Sequence, residues 1–405
     1  MPKFPQRMDP LRILIFHHRA ADASNLRPAM LGDALAARGH DVTIVGNGPG
    51  HRSSAWATSH GAKVRGFPVV LGHGIEHGYD PLNTWLRLEA TQHATADIVH
   101  AFDSRPAVIL PALRAVRRLH VPLVLDWADL LGGGGVLMER SGRLWAGTFG
   151  RIESWFEEHY RLRAAAATVI SSALESRLRA LGFAGPILLS RHGCDPEAVK
   201  PIDRGVARAA LGLNADTRYL VHVGTLRERN ARLLRRAVEL VHDSHRAELL
   251  LVGGSDPRID WPESVRRPGR VSYRDLQRFI AASDLALLPE VDSVANRHRW
   301  PSKANDYFML AKPVVATDVG DIATVLRERS AGVVTAPEAE TFAAGIGSLL
   351  EDPERAATLG ANGRRLAETD LDWRRLAEAL EQLYRTAVSS TALPNRYRMR
   401  AVEQA

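Results

Sequence analysis

The 405-residue sequence contains a single cysteine, Cys194. No intramolecular disulfide can form, and a cysteine cage for a metal is excluded. Long apolar runs are also missing, since none approaches the roughly 20 residues that a helix needs to span a bilayer. Met1–Pro10 has a few charges but no apolar core ahead of a small-residue cleavage site, so it does not read as a signal peptide. These absences predict a cytoplasmic protein. Aromatic residues are scarce at 6% and do not interleave with basic ones, which argues against a nucleic-acid partner. What is present is ordinary for a globular protein, with 45% hydrophobic and 24% charged residues, and the length suits two cores rather than one. Of the net charge of +7, +5 falls on residues 1–200, in stretches such as Leu113–His120 and Arg161–Ala166. A basic first half suits a solvated face, or attraction to anionic partners such as phosphorylated substrates or the inner face of a membrane.

The chain alternates short apolar strands with amphipathic helices, twice over. Strands are expected at Ile13–Phe16, Asp41–Val45, Asp97–Ala101, Leu123–Leu125 and Thr168–Ile170, with helices at Pro28–Arg38, Ala107–Leu119 and Arg151–Ala167. The rhythm restarts at Tyr219–Val223 and continues through strands Glu248–Val252, Leu285–Leu288 and Val314–Ala316. Helices are expected at Ala231–His242, Tyr273–Ala282, Lys303–Leu310, Asp321–Glu328, Ala339–Leu350, Pro353–Glu368 and Trp373–Val388. Such alternation predicts parallel sheets with helices on both faces. Asp195–Gly205, polar and holding two prolines, reads as the linker. The predicted organisation is therefore residues 1–200, residues 201–372, and residues 373–405 as a returning helix with a basic tail.

Several motif matches do not survive their context. Gly46-x-Gly48-x-Gly50 follows the second strand and not the first, so it reads as a surface turn and not a dinucleotide fingerprint. His73-x-x-Glu76-His77 is crowded by glycines that oppose the helix a zinc peptidase needs. Asp370-Leu371-Asp372 sits where an aspartate routinely caps a helix. No Walker loop, Cys-x-x-Cys or Gly-x-Ser-x-Gly elbow occurs. Trp127–Gly135 is more informative, because four successive glycines cost conformational entropy. They suit a mobile lid, close approach to a ligand, or a merely flexible loop.

Trp300–Gly320 (WPSKANDYFMLAKPVVATDVG) is the most distinctive segment. It resembles the "PSK-x-x-E-Y-x-x-x-G-x-PVVAT-x-x-G" segment of the retaining GT-B glycosyltransferases of family 4. Asp97–His100, Thr168–Ser172, His192–Asp195, Val223–Leu226 and Leu251–Ser255 resemble that family's strand ends, in order, over most of the chain.

The resemblance implies an α/β protein of GT-B fold, two Rossmann-like doubly wound parallel-sheet domains facing a central cleft. It implies a retaining, metal-independent glycosyltransferase of polysaccharide or glycoconjugate biosynthesis, with a nucleotide-sugar as co-substrate and no cofactor. Asp306 then stands at the acidic position that accepts the donor ribose hydroxyls. The phosphate-binding Arg and Lys of the family are replaced by Thr225 and, most nearly, Asn230. Arg227, Arg229 and Lys303 are expected to hold the diphosphate instead, as forked or point cations suit. The first acid of the family's paired carboxylates falls at His298, with Glu290 and Asp292 upstream and reachable only through an inserted loop. Gly253, Gly254, His298, Arg299 and Trp300 are candidates around the donor sugar or base. On the first domain Asp126 and Asp129 stand where the family often has a His, and with His18 they are the catalytic candidates. His17, Arg19, Gly132 and Gly133 are candidates for the acceptor side. The acceptor is unidentified and can be lipid- or glycan-linked, with peripheral membrane contact through the basic first domain. Two other readings share the fold, a non-catalytic partner subunit with a degenerate donor site and a UDP-sugar epimerase.

Overall fold

Short runs of Val, Leu, Ile and Ala with no polar alternation are stable as strands only when both faces are covered. The computed structural model, which describes residues 9–19, 27–50, 52–69, 78–137 and 143–392, shows two such sheets. The chain divides into two units. One comprises residues up to Ile170, Leu174–Ser190 and Leu376 onward, and the other Ser171–Ala173 and Arg191–Arg375.

The first unit holds β1 (Arg12–Arg19), β2 (Asp41–Asn47), β3 (Ser54–Ala57), β4 (Lys63–Phe67), β5 (Ile98–Ala101), β6 (Leu123–Trp127), β7 (Ala166–Val169) and β8 (Ile187–Leu189). They lie in the order β3-β4-β2-β1-β5-β6-β7-β8. Every pair is parallel except β3 with β4, so the expectation of a wholly parallel sheet fails at that edge. Gly46 lies inside β2 and not in a turn. The motif His73–His77 falls outside the described residues.

The helix expected at Arg151–Ala167 instead spans Arg143–His159. A 3₁₀ turn follows at Arg161–Arg163, and Ala166 and Ala167 belong to β7. Alanines favour helix locally, but between β6 and β8 these two are at most 2% exposed, and burial overrides propensity. The last helix, Trp373–Ala392, is tied to the first unit. Tyr384 Oη lies 2.7 Å from His100 Nδ1 on β5, and Arg38 donates to Glu381 at 2.8 Å. Asp372, just ahead of it, accepts the N–H of Arg374 at 2.8 Å, as a cap does.

The second unit is wholly parallel, with β9 (Tyr219–Val223), β10 (Glu248–Val252), β11 (Val265–Gly269), β12 (Leu285–Leu288), β13 (Val314–Thr317) and β14 (Gly332–Thr335) in the order β11-β10-β9-β12-β13-β14. Its core of Leu side chains from β9, β10 and β12 packs against the helices Glu228–His245 and Ala339–Leu350.

In each sheet the chain leaves the middle in one direction and returns to continue in the other. The switch falls between β1 and β5 in the first unit and between β9 and β12 in the second. Loops leaving the two flanking strands diverge there, which opens a crevice at the carboxyl ends.

Candidate functional site

At the switch point of the second unit, β9 runs into Gly224 at φ +99° and β10 into Gly253 at φ +125°. A Cβ on Gly253 would stand 2.5 Å from the carbonyl oxygen of Gly224, so the two strand ends touch and only glycine fits. The side chain of Lys303 lies over Gly224, where a Cβ would sit 3.5 Å from its Cε. Lys303 opens the helix Lys303–Met309. Tyr307 of that helix pins it to the strand, because its hydroxyl accepts the N–H of Val223 at 2.9 Å.

Glu290, two residues past β12, is the centre of the cluster and is 5% exposed. Its carboxylate accepts from Arg299 at 2.7 Å and Asn230 at 2.8 Å, with Lys303 Nζ 4.0 Å away. Burial alone would raise its pKa, but Lys303, Arg299 and Asn230 together hold it below the usual carboxylate value. Burial lowers the pKa of Lys303, and Glu290 opposes that. Lys303 also stands 3.5 Å from His222 Nε2, and burial together with that ammonium keeps His222 neutral. One carboxylate therefore faces two fixed cations. Arg227, the N-cap, and Arg229, in the first turn, are exposed at the start of the helix Glu228–His245 and do not share a loop.

Asp306 lies one turn beyond Lys303. Burial pushes its carboxyl up to about 6, although the Tyr273 hydroxyl donates to it at 2.9 Å. Thr225 is exposed, with its side chain beside Gly254. Trp300 is buried and its indole N–H donates to Asn305, whose amide in turn holds the carbonyls of His192 and Gly193. Trp300 thus supports the loop from within. His298 turns its Nδ1 to the carbonyl of Val294 at 2.7 Å. The acid beside Lys303 is Glu290, because the excursion through the short helix Val294–Arg297 returns Arg299 to it. Counting along the chain points to His298. The readable signal for Glu290 was a charged residue immediately after a buried strand.

The switch point of the first unit is also polar. His17, at the end of β1, is buried, and burial together with neighbouring His18 holds it well below its ordinary pKa. His18 Nδ1 lies 2.8 Å from Asp103, which follows β5. Arg105 stands 3.5 Å from Asp103 and 2.7 Å from Glu153, and Tyr79 donates to Glu153 at 2.7 Å. Burial would raise Asp103, but Arg105 and His18 outweigh it and keep the carboxylate well below its usual range. Arg87 is fully buried and donates to the carbonyls of His17, His18 and Ala107. Arg19 is exposed beyond the pair.

The structure places Asp126 inside the unit at 2% exposure, bonded to Arg27 at 3.0 Å and Thr168 at 2.5 Å. Asp129, by contrast, is exposed. His18 is instead paired with Asp103. Gly132 and Gly133 do not form a free loop. The N–H groups of Leu131 and Gly132 donate to Glu157 at 2.8 and 2.7 Å, and a Cβ on Gly132 would fall 2.1 Å from Ser154 Oγ. Burial raises Glu157 to about 7 against these bonds. The glycines therefore serve close packing on the helix Arg143–His159. Glu153 and Glu157 escaped sequence reasoning because their hydrogen-bond partners lie 25 or more positions away, and Asp103 because its partner His18 lies on β1.

Residues 217–352 match the family described as glycosyl transferases group 1, and residues 24–189 the glycosyl transferase 4-like domain. A D-inositol 3-phosphate glycosyltransferase of Catenulispora acidiphila is 29% identical over 220 residues, 50% of this chain and 51% of that protein. The chain spans about half the length of the curated relatives it matches. The solved sucrose-phosphate synthase of Thermosynechococcus elongatus superposes with a TM-score of 0.73 at 19% identity, covering 93% of this chain and 99% of its own. Anabaena HepE, solved in complex with UDP and glucose, gives 0.66 at 17% identity over 93% and 100%. These likenesses establish the two-domain GT-B fold.

Proposed function

Because the chain belongs to the group 1 glycosyl transferases, we propose that it moves a sugar from a nucleotide-diphosphate-sugar to an acceptor hydroxyl, with retention and without a metal. The observation that carries this reading is the cluster of Lys303, Arg299 and Glu290 over the glycine strand ends of the second unit, with Asp306 one turn further. Lys303 and Arg299 meet the donor diphosphate. Arg227 and Arg229, at the start of the helix Glu228–His245, supply further positive charge. Asp306, as carboxylate, accepts two ribose hydroxyls.

In the reaction the bond from the sugar C1 to the diphosphate oxygen breaks, and its electron pair leaves with the diphosphate. The acceptor oxygen bonds to C1 from the same face and passes its proton to a diphosphate oxygen. Two cations already fixed by Glu290 need little reorganisation as that negative charge grows, which is electrostatic preorganisation.

A thermal-shift screen with UDP, GDP, ADP, dTDP and CMP tests the reading, and UDP comes first because HepE was solved with it. A nucleotide at about 100 times its dissociation constant adds roughly 2.7 kcal/mol of stability. One nucleotide should raise the melting temperature of the native chain and fail to do so for Lys303→Ala. Silence from all five would favour a degenerate, non-catalytic donor site, which the replacements at Thr225 and Asn230 would then explain.

A further inference from the structure

The first unit exposes large apolar side chains on one layer. Helices Pro81–Ala90, Pro106–Leu119 and Arg143–His159 precede β5, β6 and β7. Leu86, Leu113, Val116 and Phe156, one or two from each helix, pack into the same core against β5 and β6. The opposite side of each helix faces water. On the first helix that side carries Leu82 and Trp85, the tryptophan 54% exposed. On the second, Leu110, Arg114 and Arg117 follow at helical spacing, and all are exposed. On the third it carries Arg151, Ile152 and Trp155, the last 50% exposed. The turn that follows adds exposed Leu162 and Arg163. Six of the nine large hydrophobics exposed among the described residues belong to this layer.

The exposed charges of the layer are mostly basic. Glu153 and Glu157 are buried and committed to Arg105 and to loop amides, and Glu158 pairs with Arg177. Glu89 is left as the exposed acid of these three helices among the described residues. A soluble face seldom carries two half-exposed tryptophans among arginines. Amphipathic tryptophans with a cationic fringe are what an anionic bilayer surface selects.

We propose that this layer docks the protein on an anionic membrane surface, with Trp85 and Trp155 at headgroup depth and Arg114, Arg117 and Arg151 facing lipid phosphates. The inference stands apart from the transfer reaction, since it uses none of the donor-site residues.

Co-sedimentation with phosphatidylglycerol vesicles and with neutral phosphatidylcholine vesicles tests it. The native chain should bind the first and not the second, and lose binding between about 0.1 and about 0.5 M NaCl by screening. Arg114→Glu with Arg117→Glu should weaken binding on the order of 100-fold. Trp85→Ala with Trp155→Ala should weaken it at least about tenfold. The charge-matched pair Arg267→Glu and Arg270→Glu, exposed on the second unit, should leave it unchanged. Far-UV circular dichroism checks that each variant folds, which surface substitutions should permit. Equal binding to neutral vesicles, no binding to either, or equal losses in the control pair would overturn the proposal. So would a native dimer in sedimentation velocity that the tryptophan pair turns into monomer, because the layer would then be an interface between copies.

Discussion

The two switch points differ in how they settle their charges. In the first unit, Asp103 and Glu153 face His18, Arg105 and Tyr79 in a closed set of bonds, and Asp126 is answered by Arg27. In the second, the buried carboxylate of Glu290 holds two cations, Arg299 and Lys303, over the glycine strand ends. The same doubly wound architecture makes both crevices, so the difference lies in the side chains that the loops bring. A closed network stabilises the unit, whereas an open one is poised for an anion. Substitutions in the first unit should therefore act on stability, and those in the second on nucleotide binding.

The largest effect is expected from Arg27→Ala. It removes the guanidinium that hydrogen-bonds the buried Asp126 carboxylate, and removing one partner of a buried pair costs about 3–5 kcal/mol. Urea unfolding should show the loss, while nucleotide affinity of the fraction that remains folded stays unchanged. A loss under about 1 kcal/mol would mean that the network is not closed as described. Lys303→Ala should do the reverse. Loss of a fixed cation at a developing charge typically costs on the order of 10²–10³ in rate, read as kcat/KM against donor. Gly132→Ala comes next, at about 1–3 kcal/mol, because the added methyl meets Ser154. Its effect should appear in the denaturation midpoint. An unchanged midpoint would restore the reading of Gly132 and Gly133 as a free loop.

Much of this contrast was legible along the chain, and the missing parts have physical reasons. Strands such as Leu285–Leu288 and Val314–Thr317 read directly because burial on both faces removes all polar alternation. Lys303 and Asp306 read directly because three residues on a helix place them on one side. Ser54–Ala57 and Ile187–Leu189 are too short to carry a pattern, and both are partly exposed edge strands. Asp126 looked like a free acid after a strand because Arg27, its partner, is 99 positions away. Glu290 looked displaced because spacing counts residues, and an excursion that folds back on itself adds residues without adding distance.

The smallest effect separates the two units most cleanly. Asp306, with its carboxyl raised to about 6 chiefly by burial, binds a proton in the folded state that the unfolded chain has released by pH 5. Folding stability of the free protein should therefore fall as pH rises from about 4 to about 6, by about 1 kcal/mol, since the carboxylate keeps some water. Ribose hydroxyls need the carboxylate as acceptor, so the nucleotide-induced rise in melting temperature should grow through the same window. The two slopes run in opposite directions. Asp306→Asn should flatten both. Tyr273→Phe removes the donor that lowers Asp306, so it should move the midpoint above about 6. Glu157, raised to about 7 in the first unit, adds to the stability slope but not to the nucleotide slope. If the nucleotide slope survives Asp306→Asn, the ribose contact lies elsewhere in the second unit.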